Sequence, residues 1–365
     1  MDPITVAIDA GPLHGHRTGV GTAVDHLAKA MRERPFVQLR PYVVSFCARR
    51  RKRERKLPIP AGAASRLWAR GEWPRADRWF KGIDVVHGTN YVAPPSRLPT
   101  VVSVYDVWFL ANPSQSASAV NRAGQVLRRA VDRGAFVHAS SRATAEVARA
   151  LLGTDRVQVV HLGALPPRRP ESLTDPGFGI DGRPFLLAIG TFERRKSLST
   201  VVAAFAHLAD RLPDTVLVLA GAPGDDSRRV AAAVDALPAE LRSRVICPGP
   251  VSEDAKGWLL KRSSVLVYPS LDEGFGFPIL EAQAAGTPIV ARRAGSIPEI
   301  GGEGVELVEG DDPAAYAAAI EHVVTSGIKR LTLLEAGHRN VARFTWDRTA
   351  EGMEALYRRA IEEGV

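Results

Sequence analysis

Two glutamates in the second half of the chain stand where a sugar-phosphate ligand could bind. Glu273 follows the apolar segment 265–268, a predicted strand, and Glu281 lies eight residues later, about one turn inside a predicted helix. Pro278 suits the first turn of that helix, and Gly286 suits a left-handed cap at its end. Helix N-termini attract anions, and carboxylates accept hydrogen bonds from hydroxyl groups. Together they predict a ligand with a phosphate between hydroxyl-rich groups, as in a nucleotide-sugar.

The loop between these glutamates offers little steric hindrance, because Gly274 and Gly276 carry no side chain. The two glutamates can also be explained by helix stability alone. Glutamates near a helix N-terminus stabilise the helix dipole by ~0.3–1 kcal/mol each, and charged helices often show such pairs.

A second chemical feature is the cationic loop FERRKS, which separates the apolar segment 184–190 from a predicted amphipathic helix. Arg195 and Lys196 lie at this strand-to-helix junction, directly after Arg194. Arginine binds phosphate oxygens with two parallel hydrogen bonds and lysine acts as a point charge, so the loop could hold a diphosphate. Basic residues in a surface loop are otherwise simply solvated.

The start of the chain has the order strand, glycine-containing loop and helix. The run ITVAIDA is apolar enough for a buried parallel strand, and the loop after it contains Gly19 and Gly21. These glycines predict a close backbone approach to a ligand, although many strand-to-helix turns need glycine for geometry alone.

Several polar residues follow later predicted strands of the first half. The carboxyl ends of strands face the ligand crevice in doubly wound sheets, so one cleft is expected to receive them. They are His87, Asn90, Tyr105 and Asp106. The alternative is that such residues cap helices and turns.

The elements that must position these residues alternate between strand and helix in both halves. This pattern predicts two Rossmann-like, doubly wound parallel-sheet domains that face each other across a cleft. We expect an N-terminal domain over 1–165, a Pro- and Gly-rich linker over 166–182 and a C-terminal domain over 183–345. Residues 346–365 are expected to form a helix that crosses back to the N-terminal domain.

Charge is divided unevenly along the chain. Residues 1–180 hold 27 Lys/Arg against 14 Asp/Glu, and residues 181–365 hold 21 against 26. The run RRRKRERK at 49–56 predicts either a solvated loop or a patch for anionic lipid or phosphorylated acceptor. Nucleic acid is not expected, since no matching motif accompanies the run. The aromatic residues that follow it, among further arginines, predict an amphipathic surface helix; they are Trp68, Trp73, Trp79 and Phe80.

Cysteine content and hydropathy indicate the compartment. Cys47 and Cys247 are far apart, which predicts buried thiols of a reduced compartment and no disulfide or metal framework. Neither a membrane-spanning run nor a secretory leader is recognisable. We expect a cytoplasmic protein, with peripheral contact at the inner face of the membrane as an option.

The segment EGFGFPILEAQAAGTPIV resembles the signature of family 4 (group 1) retaining glycosyltransferases of the GT-B fold, which include many mannosyltransferases. GTFERRKSLSTVVAAF and IDAGPLHGHRTGVG are similar to two further stretches of that family. The segments DVVHGTNY, HASSRAT and TWDRTA extend the resemblance over nearly the whole chain.

This resemblance implies a role for each matching residue. Arg195 and Lys196 would stabilise the leaving diphosphate, Glu273 would contact the donor sugar and Glu281 would hold the ribose diol. The backbone of Phe275, Gly276 and Phe277 would meet sugar and phosphate, with Gly19 and Gly21 closing the site. The implied reaction is retaining hexosyl transfer from a GDP-mannose-type or UDP-hexose donor to a saccharide, lipid-linked or natural-product acceptor.

The sequence departs from the family where many members have His-Asp and this chain has Tyr105-Asp106. A tyrosine cannot titrate near pH 7 as histidine does. No Asp-x-Asp stands where a metal would bridge a diphosphate, so we expect neither metal nor cofactor. Alternative functions are a non-transferase GT-B enzyme, such as a sugar-nucleotide epimerase or a phosphorylase, and a non-catalytic sugar-nucleotide binding protein.

Overall fold

The computed structural model describes residues 2–14, 18–47, 54–166, 174–180 and 182–364. The chain divides into two compact units. The first unit consists of residues 1–163 and 344–365, and the second consists of residues 164–343. Each unit is built on one parallel sheet flanked by helices, which confirms the predicted α/β fold class.

The first unit has a seven-stranded sheet with the order β3-β2-β1-β4-β5-β6-β7. Its strands are β1 Ile4–Asp9, β2 Val37–Val44, β3 Arg55–Leu57, β4 Val85–Gly88, β5 Thr100–Val104, β6 Phe136–Ala139 and β7 Val157–Val159. Its helices before the second unit are α1 Gly19–Arg32, α2 Ala61–Trp68, α3 Trp108–Ala111, α4 Ser118–Asp132 and α5 Arg142–Leu152. All strand pairs are parallel, as expected for valine-rich runs buried on both faces.

The second unit repeats the plan with six parallel strands in the order β10-β9-β8-β11-β12-β13. Its strands are β8 Phe185–Ile189, β9 Val216–Ala220, β10 Val245–Gly249, β11 Val265–Tyr268, β12 Ile289–Arg292 and β13 Glu306–Val308. Its helices are α6 Leu198–Leu208, α7 Ser227–Asp235, α8 Ala239–Arg242, α9 Glu253–Arg262, α10 Phe277–Ala285, α11 Ile297–Gly301, α12 Pro313–Thr325 and α13 Gly327–Val341. Apolar layers cover both faces of the sheet.

The final helix, α14 Trp346–Glu363, belongs to the first unit. Its apolar stripe contains Met353, Leu356 and Tyr357, which are fully buried with β1 and α1 residues such as Val6 and Leu27. Arg34 also donates to Glu354 at 2.7 Å. The helix therefore completes one layer of the first unit.

Three sequence expectations are wrong in the described part: the solvated loop at Arg55 and Lys56, the amphipathic helix after it, and the buried cysteines. The alternative interpretation of the basic run, a patch for anionic lipid or phosphorylated acceptor, stays a prediction. Arg55 and Lys56 lie in the edge strand β3, and each donates to backbone carbonyls. The rest of the basic run, 49–53, lies outside the described residues. No single helix joins the downstream aromatics, because Trp68 ends α2 as a buried side chain while Trp73 is 74 % exposed.

The third wrong expectation concerns the cysteines: Cys47 and Cys247 are exposed free thiols. Among the described residues, no helix is both long and apolar enough to cross a membrane.

Candidate functional site

The cationic loop and the first glutamate meet in direct ion pairs. Residues Arg194–Lys196 form one 3₁₀ turn between β8 and α6. Lys196 Nζ lies 2.5 Å from Glu273 Oε1, and Arg195 Nη1 lies 3.1 Å from Glu273 Oε2. The same arginine nitrogen donates to the Asp272 carbonyl at 3.2 Å. Arg195 Nη2 also lies 3.4 Å from Glu193 Oε2, so the ends of β8 and β11 present one compact cluster of two cations and two carboxylates, of which Glu273 is the buried one.

The electrostatics of this cluster keep Glu273 ionised. The side chain is only 7 % exposed, and burial alone would raise its pKa. The charges of Lys196 and Arg195, with hydrogen bonds from Lys196 and Tyr268, outweigh burial and lower the pKa to about 2. The Tyr268 hydroxyl also accepts from Lys196 Nζ at 3.1 Å. Glu273 therefore orients both cations as a fixed anion at neutral pH.

A glycine packs against the backbone of this loop. A Cβ on Gly295 would lie 2.4 Å from Asp272 Oδ1 and 2.8 Å from the Glu273 nitrogen, and the residue has φ +50°. Next to it, Ser296 N donates to the Glu273 carbonyl at 3.0 Å, and its hydroxyl donates to the Phe275 carbonyl. The turn after β12 therefore fixes the position of the Glu273 backbone.

The second glutamate is held by a lysine that the sequence analysis did not identify. Glu281 lies in the second turn of α10, and its Oε1 atom is 2.7 Å from Lys256 Nζ of α9. Lys256 also contacts Glu253 at 2.8 Å. Burial would lower the pKa of Lys256, but the charges of Glu281 and Glu253 raise it above its usual value. The Glu281 carboxylate is thereby fixed in place, and its oxygens can still accept hydrogen bonds.

The N-terminus of α10 begins at a glycine in the left-handed region of backbone conformation. Gly276 caps the helix at φ +92°, and no side chain caps this end among the described residues. Gly286 ends the helix at φ +74°, as predicted. The rings of Phe275 and Phe277 pack edge to face at 5.1 Å on either side of Gly276, with Gly274 one step earlier in the loop. This helix start lies next to Glu273 in the chain and presents partial positive charge.

The sequence expectation for His87 is wrong, because its side chain is enclosed in the core of the first unit. A chain of hydrogen bonds runs Tyr357 Oη to His87 Nδ1 (2.7 Å), His87 Nε2 to Ser103 Oγ (2.8 Å) and Ser103 Oγ to His138 Nδ1 (2.8 Å). His138 Nε2 then meets the Val160 carbonyl at 2.9 Å. A carbonyl only accepts, so His138 carries its proton on Nε2, and every donor in the chain follows from that assignment.

Burial lowers the pKa of both histidines in this chain, to about 3 for His87 and about 4 for His138. Both are neutral at physiological pH. They connect α14 to three strands of the sheet and are unavailable to a ligand. A polar residue that follows a strand can therefore form buried hydrogen bonds in the core instead of contacting a ligand.

The other three polar residues lie just beyond these strand ends. Asn90 is half-buried, and its Oδ1 atom has no partner in the described structure. Tyr105 is 7 % exposed, and burial raises its pKa well above the usual value. Asp106 accepts from the Tyr91 hydroxyl at 3.3 Å. None of these three residues forms a hydrogen bond of ordinary length with a side chain of the His87 hydrogen-bond chain.

The two N-terminal glycines differ in their surroundings. A Cβ on Gly21 would lie 2.6 Å from the Pro12 carbonyl oxygen. The backbone of the chain itself therefore requires a glycine at this position. Gly19 begins α1, and no described residue beyond its chain neighbours and the backbone of its own helix lies within 4 Å of a Cβ placed on it. Thr18 caps the helix by accepting from Gly21 N. Only Gly19 has room for a ligand.

Asp9, at the end of β1, is a buried carboxyl group that the sequence analysis passed over. Burial raises its pKa to about 7, although Gly11 N donates to Oδ1 at 2.8 Å. The nearby Glu54 raises the pKa further, and His14, paired with Glu54 at 3.0 Å, lowers it. The signal available in the sequence was an acidic residue directly after a buried strand. No group of three metal-binding side chains occurs in the ranges that the structure describes.

Both halves of the chain match models of glycosyltransferases. Residues 17–164 match Glycosyltransferase Family 4, and residues 174–339 match Glycosyl transferases group 1. A D-inositol 3-phosphate glycosyltransferase of Acidothermus cellulolyticus is 28 % identical over 84 % of this chain and 73 % of its own length. Two relatives of that name from Corynebacterium species are 32 % identical, and this chain spans 42 % of their length.

Solved structures share the fold. Sucrose-phosphate synthase from Thermosynechococcus elongatus superposes with a TM-score of 0.72 at 20 % identity, covering 98 % of both chains. Anabaena HepE in complex with UDP-glucose gives a TM-score of 0.71 at 16 % identity, covering 96 % of this chain and 99 % of HepE.

The two parallel-sheet units and these superpositions show the GT-B fold. On that fold, residues 17–164 match glycosyltransferase family 4 and residues 174–339 match the group 1 glycosyltransferases.

Proposed function

We propose that this chain transfers a hexosyl group, with retention of configuration, from a nucleoside-diphosphate sugar to a hydroxyl group of an acceptor. The observation that carries the proposal is the cluster on the second unit. Arg195 and Lys196 both pair with Glu273 beside the start of α10, and Lys256 fixes Glu281 in the same helix. Cations, a helix N-terminus and oriented carboxylates suit the two parts of a nucleotide-sugar.

Each group has a distinct task in this proposal. Negative charge develops on the departing diphosphate, and Arg195, Lys196 and the first amides of α10 stabilise it. A preorganised group of this kind is typically worth ~3–4 kcal/mol of transition-state stabilisation. Glu273 orients the cations and accepts from sugar hydroxyls, and Glu281 accepts from the ribose. Protein cations thereby take the part that a metal plays elsewhere, so we propose that no metal is required.

The donor and the acceptor are proposed from the relatives. HepE has been crystallised with UDP-glucose, and several relatives are named for transfer to D-inositol 3-phosphate. UDP-hexoses and GDP-mannose are therefore the first donors to test, and D-inositol 3-phosphate is the first acceptor. Saccharide, lipid-linked and small natural-product acceptors follow. We propose that the first unit binds the acceptor and the second binds the donor.

The test is product formation by the purified chain. UDP-glucose, UDP-N-acetylglucosamine and GDP-mannose are each incubated with and without acceptor, and products are identified by mass spectrometry and NMR. Transfer with retained anomeric configuration in the wild type, and its loss in Lys196→Met, is the expected result. Acceptor-independent conversion of the donor would favour an epimerase, and binding without turnover would favour a binding protein. Undiminished transfer by Lys196→Met would contradict the assigned site.

A cytoplasmic location with peripheral membrane contact through 49–56 also stays a proposal. Within that run, Arg55 and Lys56 are bound to backbone carbonyls, and Glu54 is paired with His14. Any contact with anionic lipid would therefore depend on 49–53. Sedimentation of a 49–53 glutamine variant with anionic vesicles tests it, and unchanged binding would contradict it.

A further inference from the structure

A groove in the surface of the first unit is lined by arginines. It lies between α2 and α4 and has a volume of about 760 Å³. Its charged lining residues are Arg66, Arg70, Arg122, Arg128, Arg129 and Asp132. We call this feature the arginine groove. Five guanidinium groups there face a single carboxylate.

None of these five guanidinium groups has an ion-pair partner within the described ranges, and three of them also donate no hydrogen bond there. Arg128 Nη1 donates to the Leu151 carbonyl at 2.5 Å, and Arg129 Nε donates to the Ala69 carbonyl at 2.9 Å. Arg66, Arg70 and Arg122 form no such bond or ion pair there. Like charges gathered on two packed helices give the groove a positive potential, which favours the binding of an anion.

Arg122 gives an independent indication of a ligand. Its Nε atom is buried and has no hydrogen-bond partner in the described structure. A buried donor without a partner loses its hydration without compensation, and the cost is greater for a charged group. An anion in the groove would accept from this nitrogen and offset the repulsion among its neighbours.

We propose that the arginine groove is a binding site for a phosphate-bearing ligand. Guanidinium groups bind phosphate oxygens through paired hydrogen bonds, and three unpaired groups on facing helices can contact one phosphate from several sides. The phosphate belongs either to a small soluble compound or to a lipid headgroup, since both present the same anionic oxygens. The site uses none of the residues assigned to the donor, so it does not depend on the proposed transfer reaction.

The experiment compares charge-matched variants. Arg66→Gln/Arg70→Gln/Arg122→Gln removes three charges from the groove. Arg32→Gln/Arg228→Gln/Arg339→Gln removes three exposed charges elsewhere. Calorimetric titration with inorganic pyrophosphate tests the soluble source, and sedimentation with phosphatidylcholine vesicles, with and without phosphatidylglycerol, tests the lipid source. Lys196→Met is titrated in parallel, because pyrophosphate could also bind at the donor cluster.

The expected result is binding to at least one probe that weakens tenfold or more in the groove variant and is retained in the control and in Lys196→Met. Loss of pyrophosphate binding identifies a soluble phosphate ligand, and loss confined to anionic vesicles identifies a headgroup. The double variant Arg66→Gln/Arg70→Gln, which leaves the partly buried Arg122 in place, serves if the triple variant does not fold. Equal binding of both probes by groove and control variants, or binding of neither probe by the wild type, overturns the proposal.

Discussion

At the scale of single residues, the ion pairs around Glu273 determine how the proposed donor site behaves. Its carboxylate is almost fully buried between Arg195 and Lys196. Removing one partner from such a group leaves an uncompensated buried charge, which costs more than the pair contributes. Substitutions here should therefore change stability as well as activity, and the two effects must be measured separately.

Glu273 should give the folded protein a measurable dependence on acid. Its folded pKa of about 2 lies below its usual value of 4.5, so its contribution is complete above pH 4.5 and is lost as the pH falls toward 2. We expect the difference in unfolding free energy between wild type and Glu273→Gln to shrink by about 2 kcal/mol between pH 6 and pH 3. Urea unfolding at both pH values measures it. A difference independent of pH would show that folding does not lower the pKa of Glu273.

Lys256 should act on donor affinity more than on the chemical step. Removing its ion pair frees Glu281 to adopt other rotamers, so Lys256→Met is expected to raise the donor KM roughly tenfold while kcat changes little. Lys261→Met is the matched control, because Lys261 is an exposed lysine of the same helix and, among the described residues, donates only to the Ala285 carbonyl. Steady-state kinetics with varied donor make the comparison. Equal KM values for the two variants would contradict the role of Lys256.

At the scale of elements, the hydrogen-bond chain through His87 attaches α14 to the first sheet. Tyr357→Phe removes the donor to His87 Nδ1, and we expect a loss of about 1–2 kcal/mol of unfolding free energy. Tyr316→Phe is the control, since Tyr316 is equally buried but its hydroxyl has no partner within the described residues. That change should be neutral or slightly stabilising. Denaturant unfolding measures the unfolding free energy of both variants. Equal losses of unfolding free energy would show that the hydrogen bond from Tyr357 to His87 contributes nothing specific.

The turn after β12 should control the position of the Glu273 loop. Gly295→Ala introduces a Cβ against Asp272 and the Glu273 backbone, which must shift. Gly310→Ala is the control, because Gly310 also has positive φ but has open space around it. Both variants carry the strain of a left-handed alanine, of order 1 kcal/mol. Only Gly295→Ala should also lose transfer activity by an order of magnitude or more. Similar activity in the two variants would contradict this coupling.

The sequence predicts elements better than it predicts side-chain partners. Pro278 and Gly286 mark both ends of α10 because each has a local backbone preference. The pairing of Glu281 with Lys256 depends on how α9 packs beside α10, and no local pattern encodes that packing. His87 shows the opposite error, since its partners Ser103 and Tyr357 come from distant parts of the chain.

The wrong expectations of a loop at Arg55 and Lys56 and of buried cysteines have the same physical origin. A residue's type gives its average preference for burial, but its neighbours in the fold decide its environment. Cys47 and Cys247 are exposed although cysteine is usually buried. Arg55 lies in an edge strand, where its guanidinium reaches the Trp79 and Lys81 carbonyls.

At the scale of the whole molecule, the chain joins two similar parallel-sheet units of opposite net charge. The first half is strongly basic and the second is mildly acidic. In the proposed function, the local cations Arg195 and Lys196, rather than the overall field of the second unit, therefore attract the anionic donor. The basic first half, which includes the arginine groove, favours anionic partners at longer range.

Calorimetric titration of nucleotide-sugars into the purified chain tests most directly whether the second unit holds the donor. UDP-glucose, UDP-N-acetylglucosamine and GDP-mannose are titrated into wild type, Lys196→Met and the control Lys261→Met. We predict that at least one of them binds the wild type and the control equally, and binds Lys196→Met roughly ten- to a hundredfold more weakly, because a charge-assisted contact to the diphosphate is lost. The same affinity for wild type and Lys196→Met, or no binding of any nucleotide-sugar, would contradict the assignment of this cluster as the donor site.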